Sequence, residues 1–462
     1  MGRREDKTMN RREKYMAADT EKREMISIEE ALAIIKTGIP APVEQEYAIE
    51  EAFGKILAED IHAPESSPRF TNSAMDGYGV RWEDVHGAEP DMPVTLDIVG
   101  ESRAGTPFHG TVGKGEAVRI STGAMLATWC DTVIPVEDTE ELSDRVRILA
   151  AKKQGQHVRC EGEEFREGDL LLPRGTKIAA PQAALLAAVG ITRVKAYRQC
   201  EVAVLVTGSE LVAAGETIAE HQIRDSNMIM LKAAIEESGG RITRCVRVAD
   251  EEPATIEAIG QTRADIIVCT GGVSVGRHDH VKNGAEANGF APLFWKIRQK
   301  PGKPLYLARK GTTLLFGLPG NPVSAFMCFA HYVRPVITVM NGLPFGWPTV
   351  SGEAGEDITN RGSRTNMIRV QLAWLHNGGY CITHVEKQGS HMLTSLSGAD
   401  GYVIVEPGQT LKKGERADVY RYDFRRDPVE GSMFEVQGLR FKPQSAGLEE
   451  ETNGVHGSCL HQ

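Results

Sequence analysis

Ile266-Ile267-Val268-Cys269-Thr270-Gly271-Gly272-Val273-Ser274-Val275-Gly276 is an apolar run that breaks directly into a glycine-rich turn. It decides the fold because the pattern occurs twice more nearby. Residues 202–206 run into Thr207-Gly208-Ser209-Glu210, and residues 314–316 into Gly317-Leu318-Pro319-Gly320-Asn321-Pro322. Helical periodicity over 228–237, 254–262 and 323–333 separates or follows these runs. Short buried strands alternating with helices predict a central parallel α/β sheet covered on both faces. Ligands of such sheets bind at the carboxyl ends of the strands, where all three turns fall.

Outward from this α/β unit (196–344), the chain changes character on both sides. Ser27-Ile28-Glu29-Glu30 is a capping box that starts a helix stopped by Gly38 and Pro40. Residues 66–155 read as short strands and turns (92–99, 117–120, 131–135, 146–149), a β-rich unit. Residues 156–195 return to Gly- and Pro-punctuated text ending in a helix over 181–189, so 25–65 plus 156–195 are expected to form one N-terminal linking domain with the β unit inserted into it. Strands at 368–372, 380–385, 401–405 and 416–420 predict a small C-terminal β-barrel over 345–425. Residues 1–24 read as a flexible tail and 426–462 as an appendage.

With 462 residues, several domains are expected. The formal net charge of −10 argues against nucleic acid or an anionic membrane as a partner. Any anionic ligand must therefore meet a local basic cluster. No 18-residue apolar run predicts a membrane span, the charged N-terminus lacks a signal-peptide core, and a cytoplasmic protein is expected. Eight cysteines without a CxxC pair exclude the common zinc ribbons and suggest no disulfide framework.

Such a basic cluster stands at Phe294-Trp295-Lys296-Ile297-Arg298-Gln299-Lys300-Pro301-Gly302-Lys303-Pro304. In an extended strand Lys296, Arg298 and Lys300 would share one face, with Lys303 after the Pro-Gly turn. The bland alternative is an edge strand guarded by lysines. At Pro319–Ser324, Asn321 is placed to cap a helix with Pro322 at its first position, leaving N–H groups and the Ser324 hydroxyl for an oxyanion. The carboxylates Glu210 and Asp279 fall near strand ends, where they could hold Mg²⁺ against phosphate oxygens, and Asp250 ends an apolar run. Taken singly, each reads equally as a turn or cap residue.

Four stretches together resemble the motif set of the MoeA/gephyrin family: Asn72-Ser73-Ala74-Met75-Asp76-Gly77-Tyr78, the 271–276 turn with Asp279, Lys300-Pro301-Gly302-Lys303-Pro304, and Gly317–Ala325. The resemblance runs in order from about residue 25 to 425. It implies molybdopterin molybdenumtransferases, elongated homodimers that join adenylylated molybdopterin to molybdate with Mg²⁺ present and release AMP. It makes the N-terminal linking domain a dimerisation domain and a molybdopterin adenylyltransferase a candidate partner. By similarity Asp279, Glu210, Asp250 and Asp76 are catalytic, the first three serving the metal. Lys300, Lys303, Ser324, Arg369 and Ser390 match molybdate-binding positions, and Thr122 and Arg159 match further functional ones. Gly271, Gly272, Ser274, Pro319 and Pro322 belong to the ligand-facing turns, and Lys296 to the basic strand. Thr71, Ser209, Glu164 and Arg277-His278 depart from the family pattern, which leaves tungstate as an alternative oxyanion. Two other functions stay open: an ATP-using adenylyltransferase, and a non-catalytic scaffold like gephyrin.

Overall fold

The computed structural model describes residues 25–272, 280–375 and 378–422. Its central six-stranded sheet has the order Arg241–Val248, Glu201–Thr207, Ile266–Thr270, Thr313–Leu318, Tyr306–Lys310, Ala291–Trp295. The first four strands pair in parallel, as expected. The last two are antiparallel, a hairpin extension that the alternating strand–helix text does not signal. Every residue of Ile266–Thr270 is buried, which is why that strand reads as continuous apolar text rather than alternating text.

The two faces carry different cores. One includes Val202, Val204, Ile266, Val268 and Phe316, packed with Leu231 and Ile235 of the helix Asn227–Glu237. The other includes Leu205, Ile267, Cys269 and Leu315, packed with Ile259 and Val281. The capping box forms as the sequence predicts, Ser27 and Glu30 each accepting the other's backbone N–H. The helix it starts, Ile28–Gly38, buries Ile28, Ala31 and Ile35 in the first α/β core.

The apolar helical stretch Pro322–Met340 is one 19-residue unit, long and apolar enough to cross a membrane by composition. It lies mostly buried inside the fold, where Val323, Met327, Phe329, Val333 and Ile337 belong to the core. Its middle turn, Phe329–Val333, widens to a π-helix.

Two antiparallel pairings draw the first and third N-terminal stretches together, Glu44–Ala48 with Arg193–Tyr197 and Ile61–His62 with Leu170–Leu172, and a third, Asn72–Ser73 with Val158–Arg159, ties the start of the inserted unit to the third stretch. The first two pairings share one core, which includes Leu57, Leu172, Ile178 and Leu186. Between them lies a separate six-stranded sheet, Thr132–Pro135, Gly77–Val80, Glu116–Ile120, Val94–Ser102, Arg145–Ile148, Thr139–Leu142, with its own core around Tyr78 and Ile134.

At the C-terminal end five strands close on themselves in the order Thr365–Trp374, Tyr380–His384, Thr349–Ala354, Arg416–Arg421, Gly401–Val405, returning to the first. A short strand from the α/β unit, Gln299–Lys300, pairs in parallel with Thr365–Asn366 and ties this barrel to the lysine-rich segment.

Candidate functional site

The barrel-to-sheet tie builds a cleft of about 380 Å³ lined by Lys300, Pro301, Gly302, Lys303, Pro304, Ser324, Arg364, Gln388, Gly389 and Ser390. Among the described residues, three cations and two hydroxyls line it, and no carboxylate does. In a chain of net charge −10 such a wall is a local reversal of sign, suited to a compact oxyanion.

Each wall has its own support. Lys300 and Lys303 flank a loop whose Gly302 adopts φ +88°, with the Lys300–Pro301 peptide cis. Under that loop the buried Gln299 donates from Nε2 to the Gly302 carbonyl at 3.3 Å, and Cys328 Sγ lies 3.6 Å from the same oxygen. Tyr332 in turn donates its hydroxyl to Gln299 Oε1, so the side-chain amide is held at both ends. On the opposite wall, Ser390 comes from the barrel and is fastened to the helix start: Val323 N–H donates to the Ser390 carbonyl at 3.2 Å, and Asn321 Nδ2 to its Oγ at 3.2 Å.

Three expectations change here. Lys296 does not share a face with Lys300: its φ of +71° breaks the strand after Trp295, its side chain is buried, and its Nζ lies 4.1 Å from the centre of the Trp295 ring. Asn321 stands at the helix N-cap without a side-chain cap, and the Val323 N–H, expected to face an oxyanion, is occupied by Ser390. Arg369 is not in the cleft wall. It is 0% exposed, and its Nη2 reaches the carbonyls of Lys387 and Gly389 at 3.4 Å each, while Nε and Nη1 have no partner. Burial pushes its pKa down, opposed by the neighbouring Tyr422 hydroxyl. Sequence reasoning missed Arg364 and Gln388; the available signal was their position within a few residues of Arg369 and Ser390.

A second locus lies at the carboxyl ends of the parallel strands. Thr270 Oγ1 donates to the Pro319 carbonyl at 3.1 Å, and Asn227 Nδ2 bridges Thr270 Oγ1 and the Gly320 carbonyl. The turns that follow Ile266–Thr270 and Thr313–Leu318 are thereby fixed side by side. Gly271 needs to be glycine: it has φ +86°, and a Cβ there would collide with the Thr207 carbonyl. Gly272 follows at φ +62°. Pro322 opens the helix Pro322–Cys328 at its first turn.

The exposed Glu210 and half-buried Asp250 follow the ends of the paired strands Glu201–Thr207 and Arg241–Val248. Carboxylate oxygens are the donor type that Mg²⁺ takes. Among the described residues no group of three or more His, Cys, Asp or Glu side chains is arranged to hold a metal. Ser274 and Asp279 lie outside the described residues.

The third locus is in the inserted sheet. Asp76 Oδ1 accepts the Thr122 N–H at 2.7 Å and its hydroxyl at 3.0 Å. These bonds, the backbone one first, hold the carboxyl pKa below its ordinary value. The adjoining Gly77 lies so close to the Ile134 carbonyl that a Cβ would collide with it. Exposed Arg159 pairs across to Asn72, a few residues before Asp76.

This geometry meets three family descriptions in chain order: the MoeA N-terminal region (domain I and II) over 26–190, a probable molybdopterin binding domain over 203–339, and the MoeA C-terminal region (domain IV) over 351–422. A molybdopterin molybdenumtransferase of Haemophilus influenzae is 34% identical over 389 residues, 83% of this chain and 95% of that one. The chain belongs to the MoeA family of molybdopterin molybdenumtransferases. A relative of the same name from Nostoc is 38% identical over 370 residues, 78% of this chain and 84% of its own. Among solved structures, a molybdopterin biosynthesis MoeA protein from Pyrococcus horikosii is 32% identical, superposes with a TM-score of 0.75, and is matched over 86% of this chain and 99% of its own. The cleft therefore lies where the matched molybdopterin-binding and C-terminal regions meet.

Proposed function

We propose that this chain inserts molybdate into adenylylated molybdopterin, giving the molybdenum cofactor and AMP. The observation that carries the reading is the cleft of Lys300, Lys303, Arg364, Ser324 and Ser390 beside the molybdopterin-binding fold. Ammonium and hydroxyl donors around a small hollow suit a tetrahedral dianion. Lys300, Lys303, Ser324 and Ser390 hold and orient molybdate there. The strand-end turns with Gly271, Gly272, Pro319 and Pro322, together with Ser274, receive the pterin–pyrophosphate portion.

Glu210 and Asp250, with Asp279, are the residues that would hold Mg²⁺. When bound, it supplies charge neutralisation for the phosphoanhydride whose cleavage releases AMP. The dithiolene sulfurs of the pterin take the molybdenum, so no protein thiol is needed for it. Asp76, Thr122 and Arg159 stand in the inserted unit, and a homodimer would let one subunit's insert complete the other's strand-end site. We take 25–65 plus 156–195, 66–155, 196–344 and 345–425 as the domains, supported by their separate sheets; the helix Ile28–Gly38 and the barrel residues Met367 and Tyr402 cross these bounds to pack in the α/β core. A cytoplasmic setting and supply of substrate by a molybdopterin adenylyltransferase accord with this role.

The deciding experiment incubates the full chain with adenylylated molybdopterin, Mg²⁺ and either molybdate or tungstate, and measures AMP. Release that depends on an oxyanion supports the reading. Consumption of ATP with no need for oxyanion would indicate an adenylyltransferase instead, and neither reaction would indicate a scaffold. Asp279→Asn should bind adenylylated molybdopterin but release no AMP.

A further inference from the structure

Two buried oxygen atoms at the strand-end edge of the α/β unit have no hydrogen-bond donor among the described residues. They are Asp225 Oδ2 and Asn227 Oδ1, each in a residue 7% exposed. Both stand where the helix Asn227–Glu237 begins. The parallel pair Leu211–Val212 and Ile223–Arg224 brings the chain back to that edge after the turn 207–210, and the Asp225 N–H donates to the Val212 carbonyl at 2.8 Å. Asp225 Oδ1 accepts the Met228 N–H at 3.0 Å, so one carboxylate oxygen caps the helix and the other is spare. Asn227 is held from the other end of its amide. Its Nδ2 donates to the Gly320 carbonyl at 2.8 Å and to Thr270 Oγ1 at 3.0 Å, while that hydroxyl gives its own proton to the Pro319 carbonyl. Neither partner can donate back, so the group facing them is the NH2 and the orphan is the amide oxygen. A buried acceptor without a donor destabilises the empty protein. Two of them within three residues, at the edge where ligands of such sheets bind, point to a donor that the ligand brings.

Resting on the molybdopterin reading above, we propose that Asp225 Oδ2 and Asn227 Oδ1 accept the 2-amino and ring N–H groups of the pterin, and so set which way round the substrate lies. The 2-amino-4-oxo edge of a pterin presents two N–H donors side by side, the complement of two acceptor oxygens. A phosphate does not fit: its oxygens are acceptors as well, and an unpaired carboxylate oxygen repels them. Mg²⁺ keeps several waters and suits solvent-facing carboxylates such as the exposed Glu210, whereas these two oxygens are sealed from solvent. The pyrophosphate must therefore lie away from Asp225, which leaves the Gly271–Gly272 turn to it.

The test titrates molybdopterin, adenylylated molybdopterin and AMP separately, by anaerobic calorimetry, into the full-length chain and its variants. Asp225→Asn retains a helix cap but turns an NH2 group, rather than an oxygen, toward the pterin donors. It should weaken both pterin ligands alike, roughly 10- to 100-fold, and leave the AMP affinity within about twofold. Its unfolding midpoint should stay level or rise, because a buried, unpaired carboxylate oxygen has been removed. Asp225→Ser keeps a capping hydroxyl and deletes the spare oxygen without adding a donor, so its loss of affinity should be the smaller of the two. Unchanged affinity for both pterin ligands in Asp225→Asn would overturn the assignment and leave the spare oxygen to a buried water. A raised Mg²⁺ requirement with pterin affinity intact would overturn it in favour of a cation ligand. Equal losses for the pterin ligands and AMP, with a lowered midpoint, would reduce Asp225 to a helix cap and overturn it as well. Failure of the unaltered chain to bind either pterin ligand would instead overturn the molybdopterin reading on which the proposal rests.

Discussion

Gly302→Ala puts the support beneath the lysine loop to the test. Gly302 has φ +88°, a conformation that for an L-residue costs about 1–2 kcal/mol. A Cβ there would overlap Cys328 Sγ and stand 2.8 Å from Gln299 Nε2. Both neighbours are buried and bonded, Gln299 to Tyr332 as well, so neither can withdraw without breaking a contact. Overpacking of this kind adds about 1–3 kcal/mol. The sum, about 2–5 kcal/mol, exceeds what a local loop usually has in reserve, so the lysines should lose their fixed spacing while the rest of the chain stays folded. Global unfolding would blur such a local effect in a multidomain chain. Amide exchange over 299–305 and calorimetric molybdate titration report it directly, and faster exchange with at least a tenfold rise in Kd is expected. Adding Cys328→Ala removes the sulfur and should recover the packing share but not the backbone share. A single variant with unchanged exchange and affinity, or a double variant no better than the single, would refute the argument.

Other consequences can be checked separately. Lys300→Ala removes an exposed cleft ammonium and should raise the molybdate Kd roughly tenfold with unfolding unchanged, an effect that shrinks with added salt. Thr122→Val keeps the backbone N–H but removes the hydroxyl from Asp76, so NMR titration should find the Asp76 pKa moved upward toward 3.8; no movement would mean the hydroxyl is not a donor. His331 is 1% exposed, stacked on Trp347 and bonded through Nδ1 to the Tyr402 hydroxyl, and burial pushes its pKa from 6.5 down to about 3. Between these values the unfolded chain binds the extra proton, so stability falls as pH drops below 6.5, by about 2 kcal/mol at pH 5. His331→Phe should flatten that part of the pH–stability profile, and an unaltered slope would exclude His331 as its source.

How much was legible beforehand differs between elements. The parallel core was readable because strands buried on both faces must be continuous apolar runs, as 202–206, 266–269 and 314–316 are. The capping box at Ser27 and Glu30 was readable because it is a local pairing of side chains with backbone. The antiparallel extension Tyr306–Lys310 and Ala291–Trp295 was not, because how a strand is placed in a sheet depends on its cross-strand neighbours and on what covers it. Lys296 was misplaced for a related reason: alternation assigns faces only while the backbone stays extended, and its positive φ lies beyond what side-chain spacing reveals.

By itself, then, the sequence determined the order of the units, the family, and the lysine and serine types that line the cleft, because motif spacing and burial periodicity are local properties of the chain. Only the tertiary structure decided which guanidinium faces the cleft. Arg364 and Arg369 lie five residues apart, and each is an equally good anion ligand as a residue type. Pairing of Gln299–Lys300 with Thr365–Asn366, and the fastening of Ser390 to Asn321 and Val323, put one of them in the wall and the other beneath it. Those contacts join positions tens of residues apart, and the burial they impose is a property of the assembled barrel and sheet rather than of either segment.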